Sequence, residues 1–170
     1  MKKIILFSFT GLLLCSFFMF GFSSKEAATN ANEIQWHTFE EAIEKNKKTG
    51  TPIFIDVYTD WCKWCKVMDQ KTFSDSEVIR HMNENFHAVK FNAEQTQPII
   101  FKGKKYEFIP SGRRGVHGLA YELLDRSASY PSFIVLDEKL DRQGIIKGYK
   151  APQQFLEILN QLDAKSAAME

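Results

Sequence analysis

Residues 52–58 read Pro-Ile-Phe-Ile-Asp-Val-Tyr, a nearly continuous apolar and β-branched run. A strand with one wet face alternates apolar and polar residues. An unbroken run marks a strand covered on both faces, as in the middle of an α/β sheet. Such a strand needs helices above and below it, so this run constrains the fold more than any other stretch. Asp56 is the one charge inside it. Shortly after the strand comes Trp61-Cys62-Lys63-Trp64-Cys65, placed so that a helix opens at Cys62.

The flanking segments supply the remaining layers. Thr38 followed by Glu41 is a capping-box pattern and predicts a helix over 39–48, ended by Thr49 and Gly50. Ser74 followed by Glu77 repeats the pattern and predicts a helix over 75–84. Residues 34–37 read as a short strand, and 86–92 as the next strand. Residues 95–117 carry Gly103, Pro110, Gly112 and Gly115, and predict one hairpin turning at Lys102-Gly103-Lys104. A helix is expected over 117–126, a strand over 132–136, a charged turn over 137–143 and a strand over 144–148. Pro152 suits the first turn of a closing helix. Phe155, Leu156, Leu159 and Leu162 give that helix an apolar face, and a flexible tail is expected from Ala164. The order predicts an α/β fold with a central mixed sheet flanked by helices, forming one domain over 34–163.

The chain's start predicts export. Lys2 and Lys3 precede an apolar run over residues 4–22, followed by a small, polar linker over 24–33. That run exceeds the usual signal-peptide core of about 7–15 residues. The leader over 1–23 is therefore read as a signal peptide or an uncleaved membrane anchor, with lipid attachment at Cys15 a third route. Each places the domain in the periplasm or otherwise outside the cytoplasm, and membrane contact is expected only through this segment. The whole chain carries 22 basic and 21 acidic residues, a net charge of +1. That balance argues against a nucleic-acid partner, which selects a basic excess on one face.

Of three cysteines, Cys15 lies in the leader, so the domain keeps Cys62 and Cys65. Small exported domains are often stapled by several disulfides. A single pair this close in sequence cannot staple distant elements, which points to chemistry. A C-x-x-C that follows a buried strand and opens a helix is a redox signature. The helix N-terminus stabilises the thiolate of the first cysteine, the nucleophile. The second resolves the mixed disulfide. Cys62 is thus the expected attacker and Cys65 the resolver, with Lys63 and Lys66 adding positive charge. No cofactor or metal is expected.

The segment from Phe54 to Cys65 resembles the thioredoxin family, and the likeness covers roughly residues 36–162. Asp56 stands where that family carries a buried acid, six residues before the first cysteine, which implies proton transfer to and from Cys65. Trp61 matches the tryptophan beside the cysteines. Lys90, in Val89-Lys90-Phe91-Asn92, matches a lysine near the buried acid. Tyr130-Pro131-Ser132-Phe133 is similar to the cis-proline segment that offers backbone groups to the substrate chain. Gly148 is similar to a glycine lining the same groove. Residues 58–78 look most like the C-terminal thioredoxin-like domain of DsbD and its exported bacterial relatives. The resemblance implies catalytic Cys62, Cys65 and Asp56, a supporting Lys90, and substrate contact through Trp61, Tyr130 and Pro131. The partners implied are exported proteins with disulfides and a thiol donor or acceptor protein.

Two departures stand out. Residues 95–117 are extra sequence, and Tyr130 is bulkier than the residue usual before the proline. Two other readings stay open. The domain could be a docking or chaperone module without turnover. Alternatively, Cys62 and Cys65 with His81 and His87 meet the loose C-x-x-C…H…H zinc template at its upper limits. The basic run Lys102-Gly103-Lys104-Lys105, with Arg113 and Arg114, reads as a solvated loop. Trp64 reads as a packing residue, and His117 has no assigned role.

Overall fold

A computed structural model describes residues 32–167, with side chains up to residue 162. The leader over 1–23 and nearly all of the linker lie outside the described residues. Among the described residues, no helix is long and apolar enough to cross a membrane.

The chain runs β1 (Trp36–His37), α1 (Phe39–Thr49), β2 (Ile53–Tyr58), α2 (Lys63–Lys71), α3 (Ser76–Asn85) and β3 (His87–Asn92). Two hairpins follow, β4 (Ile99–Phe101) with β5 (Lys104–Tyr106), and β6 (Phe108–Ser111) with β7 (Arg114–His117). Then come α4 (Gly118–Leu123), β8 (Ser132–Leu136), β9 (Arg142–Lys147) and α5 (Pro152–Ala167). The main sheet has five strands in the order β1-β3-β2-β8-β9. β1, β3 and β2 pair in parallel, whereas β8 and β9 join antiparallel, so the sheet is mixed as expected.

The apolar run is the central strand β2, and its first five residues are buried. Successive side chains face opposite sides of the sheet. Ile53, Ile55 and Val57 pack with Phe39, Ala42, Leu119 and Leu123, the layer built by α1 and α4. Phe54 faces the other way, onto Met68 of α2, Val78 and Met82 of α3, and Phe155 and Leu159 of α5. Phe54 is the hub of that layer, stacked on Phe133 with ring centroids 5.7 Å apart and edge-on to Phe155 at 5.6 Å. Aromatic pairs of this kind add about 0.5–1.5 kcal/mol beyond the area they bury. Asp56 shares the parity of Phe54, so it projects towards the layer that contains α2.

Local chemistry explains the boundaries. Glu41 N–H donates to Thr38 Oγ1 at 3.2 Å and Thr38 N–H to Glu41 Oε2 at 2.9 Å, a complete capping box. Gly50 closes α1 at φ +72°, in the left-handed region that glycine enters without penalty. The second helix start is displaced by one residue. Asp75, not Ser74, caps α3, because its carboxylate accepts from both Glu77 N–H and Val78 N–H. The Ser74 hydroxyl instead donates back to the Gln70 carbonyl at 2.8 Å.

The helix expected over 117–126 is shorter, since Asp125 and Arg126 adopt φ of +54° and +60°. Its cap is His117, fully buried, whose Nδ1 accepts from Leu119 N–H and whose Nε2 bonds the Gln97 carbonyl. That gives His117 a structural task. Strand β9 starts at Arg142, earlier than expected, because Arg142 already pairs with Leu136. The backbone of α5 continues to Ala167, past the point where a tail was expected.

The 95–117 region holds two hairpins where one was expected. The first turns at Lys102-Gly103, φ +48° and +76°, the two positive values of a type I′ turn. The second turns at Gly112-Arg113, with Gly112 at φ +56°. Pro110 argues against a strand in sequence, but a two-stranded ribbon has outer edges on which a missing N–H costs nothing.

Candidate active site

Helix α2 begins at Lys63 with Cys62 as its N-cap. Cys62 and Cys65 are joined as a disulfide, with Cα atoms 5.3 Å apart. The Cys65 backbone N–H points at Cys62 Sγ, 3.1 Å away. A helix leaves its first amides without internal partners. Here one of them is aimed at the sulfur that would carry negative charge in the dithiol form. The pair lies just under the surface, with Cys62 5% and Cys65 4% exposed.

Beneath α2, Lys90 of β3 donates to Asp56 Oδ2 at 2.6 Å and also bonds Asp69 of α2. Register explains the first contact, since Lys90 lies directly opposite Asp56 across β2 and β3. Three rings enclose the ammonium group, those of Trp36, Phe73 and Tyr58, at 4.8, 5.2 and 5.4 Å. Burial raises the Asp56 pKa to about 6, although Lys90 opposes the rise. Burial also pulls Lys90 down, but Asp56 and Asp69 outweigh it and its pKa is raised. Asp56 Oδ1 is buried without a hydrogen-bond partner among the described residues. Asp69 opens onto a cavity of about 420 Å³ that Lys90, Trp36 and Phe73 also line.

The rim is aromatic. Trp61 is 49% exposed and is held on three sides. Its Nε1–H donates to Glu94 Oε1 at 3.0 Å, Tyr130 meets it edge-on at 6.0 Å, and the Arg114 guanidinium lies 4.2 Å from its ring centroid. Trp64, read as a packing residue, packs at the surface on Tyr149, with ring centroids 5.6 Å apart. It is 59% exposed, whereas Cys65 and Met68 are the residues that α2 buries. The Tyr130–Pro131 peptide bond is cis, and Gly148 N–H donates to the Pro131 carbonyl at 2.9 Å.

Cys62, Cys65 and Trp61 thus share one rim with Tyr130, while Asp56 and Lys90 form one ion pair below. The histidines of the zinc template are placed otherwise. His87 Nε2 bonds Thr49 Oγ1 at 2.9 Å, and His81 packs on Phe86. Among the described residues, no group of three or more His, Cys, Asp or Glu side chains is arranged to hold a metal ion.

Sequence reading missed Asp69, Glu94 and the placement of Arg114. Asp69 had a usable signal, since it follows Cys65 by four residues and so shares its helix face. Glu94 and Arg114 had none, because both depend on how a loop and a hairpin pack.

Residues 23–102 match the family model described as Thioredox_DsbH, protein of unknown function, DUF255. A solution structure of a thioredoxin from Thermus thermophilus superposes with a TM-score of 0.60 at 18% identity, covering 81% of this chain and 92% of that one. The fold is thioredoxin-like. Its β2-to-α2 segment falls within the stretch that the family model matches.

Named relatives share parts of this chain. Spermatogenesis-associated protein 20 of Mus musculus is 37% identical over 69 residues, 40% of this chain and 9% of that protein. Disulfide bond reductase DsbH of Chlamydia pneumoniae is 30% identical over 80 residues, 45% of this chain and 48% of that protein. Thiol:disulfide interchange protein DsbD of Campylobacter jejuni is 29% identical over 69 residues, 41% of this chain and 12% of that protein. The thioredoxin-like chain spans less than half the length of each.

Proposed function

We propose that this chain is an exported thiol–disulfide oxidoreductase that reduces disulfides in other exported proteins. One observation carries the reading. Cys62 and Cys65 form a disulfide at the start of α2, with an amide of the helix N-terminus aimed at Cys62 Sγ. An amide and a helix dipole that favour the thiolate make Cys62 the better nucleophile at neutral pH.

In the reducing direction the pair begins as a dithiol. The Cys62 thiolate attacks a substrate disulfide, forms a mixed disulfide and releases one substrate thiolate. Cys65 then attacks Cys62 Sγ and releases the second substrate sulfur. The substrate gains two electrons and the chain keeps the Cys62–Cys65 disulfide. Cys65 must lose a proton to attack. Asp56, with a pKa of about 6 and a free oxygen, accepts it near neutral pH. Lys90 keeps that acid from rising further. Trp61 and Tyr130 form the wall against which the substrate lies, and the Pro131 segment supplies backbone groups to its chain. A thiol donor protein then restores the dithiol.

The reducing direction is favoured by the Chlamydia pneumoniae relative, which is named a disulfide bond reductase. Placement outside the cytoplasm rests on the leader, as a signal peptide or an anchor over residues 4–22.

The test is the reduction potential of the Cys62–Cys65 pair, equilibrated against glutathione buffers. The expected value lies near thioredoxin's, about −270 mV, and a value near DsbA's, about −120 mV, would reverse the direction. A pair with no reversible couple would overturn the oxidoreductase reading and leave a docking module.

A further inference from the structure

The basic run of the two hairpins divides into two kinds of charge. On the first hairpin Lys102 pairs with Asp141, Lys104 with Glu122 and Lys105 with Glu107. Those lysines are neutralised within the chain. Arg113 and Arg114 at the turn of the second hairpin differ. Among the described residues, no carboxylate lies within ion-pair distance of either, nor of Lys63 and Lys66 beside the cysteines. Arg114 is not a drifting surface cation, because its guanidinium lies over the Trp61 ring at 4.2 Å. Trp61 immediately precedes Cys62, so the β6–β7 hairpin carries its charge to the edge of the redox pair.

The acids of this rim have neutral partners. Glu94 accepts from Trp61 Nε1–H and Asp60 from Asn92 Nδ2–H. Lys63 and Lys66 flank Cys65 in the first turn of α2, and Arg114 is held over the ring of Trp61, the residue before Cys62. Between the hairpin and the rim lies a cavity of about 370 Å³, lined by Trp61, Glu94, Arg114, Val116, Tyr121 and Tyr130 among others, with the Glu94 carboxylate held by Trp61 Nε1–H. It provides room for a side chain beside Trp61, the residue that precedes Cys62.

We propose that Arg114 is a specificity-determining residue that selects substrate segments carrying an acidic side chain next to the target disulfide. This rests on the redox reading above. A guanidinium with no carboxylate of its own, fixed by stacking, presents donors to a carboxylate without first having to be ordered. A substrate Asp or Glu near its disulfide supplies the missing charge, while a Lys there meets repulsion from Arg113, Arg114 and Lys63.

The experiment uses the full-length protein, pre-reduced to the dithiol and freed of reductant. It is mixed with three peptide disulfides identical except for Glu, Gln or Lys beside the cysteine. The single-turnover rate constant at subsaturating peptide is measured at low and high salt. The Glu peptide is expected to exceed the Gln peptide by about three- to fivefold at low salt, the span that an exposed ion pair gives. The Lys peptide falls below both, and high salt shrinks the differences.

Arg114→Gln is expected to bring the Glu-to-Gln ratio close to one, Arg114→Lys to keep part of it, and Lys102→Gln to leave it as in the native chain. Equal rates for all three peptides, or a ratio that survives Arg114→Gln, would overturn this proposal alone. Failure to reduce any of the peptides would overturn the redox reading and this proposal with it.

Discussion

The ammonium of Lys90 bonds Asp56 Oδ2 at 2.6 Å and Asp69 as well, so one cation serves a fully buried acid and a half-exposed one. That sharing leaves Asp56 under-compensated. A carboxylate that is 2% exposed and holds only part of a counter-ion is costly to ionise, and its pKa stands at about 6 instead of 3.8. In the proposed mechanism the cost is useful, because a carboxylate with a pKa of about 6 changes state close to neutral pH.

The first prediction concerns stability. Asp56 binds its proton more tightly in the folded chain than in the unfolded chain. Its favourable contribution is full below pH 3.8 and is lost as pH rises to about 6. Asp56→Asn removes this dependence. The variant is expected to match the native chain near pH 4 and to exceed it above pH 7, by on the order of 2–3 kcal/mol. Urea unfolding across that pH range measures the difference. A gap that does not widen with pH would show that Asp56 carries no such penalty.

The same substitution should slow chemistry. Without an acceptor for the Cys65 proton, resolution of the mixed disulfide is expected to fall by about 100-fold or more at pH 7, the lower end of what a general base contributes. Stopped-flow reduction of a peptide disulfide reports it, and an unchanged rate would remove Asp56 from the mechanism.

Lys90 and Asp69 act on Asp56 with opposite sign. Lys90→Met takes away the cation that lowers Asp56, so the Asp56 pKa is expected to rise above about 6. Asp69→Asn removes a neighbouring charge that raises Asp56 and leaves Lys90 to it alone, so the pKa is expected to fall. Carboxyl chemical shifts of Asp56 followed against pH distinguish the two. Shifts in one direction for both variants would contradict the shared-cation arrangement.

Cys65→Ser leaves the attacker without a resolver. Roughly one substrate chain per protein is expected to accumulate on Cys62 as a mixed disulfide, with turnover abolished. Intact-mass measurement under non-reducing conditions detects it. Adducts formed equally on Cys62→Ser protein would reverse the assigned roles.

Gly148→Ala tests the link between the last strand and the proline segment. Gly148 sits at φ +74° and its N–H donates to the Pro131 carbonyl. An alanine there is expected to cost about 1–2 kcal/mol, the penalty of a Cβ in the left-handed region. Denaturant midpoints measure it, and a neutral result would show that the backbone escapes to another conformation.

The sequence by itself determined the layered fold and the position of its redox pair. An unbroken apolar run can only be satisfied between two covered faces, and β2 is that strand. The Thr38–Glu41 box and the C-x-x-C at a helix start are local chemistry, legible because their partners lie within a few residues. What lay beyond was long-range. Lys90 was expected near Asp56 only through the thioredoxin resemblance, since the contact arises from the β2–β3 register, 34 residues apart in the chain. Asp69 joins them only once α2 packs on that face. The second hairpin was hidden by Pro110, whose strand position is tolerated only at an edge. Arg114 reaches Trp61 only because that hairpin folds back over the start of α2. Local patterns set which elements form, while tertiary packing decided that Asp56 and Asp69 share Lys90 and that Arg114 lies over Trp61. Those contacts depend on distances between segments that no run of neighbouring residues encodes.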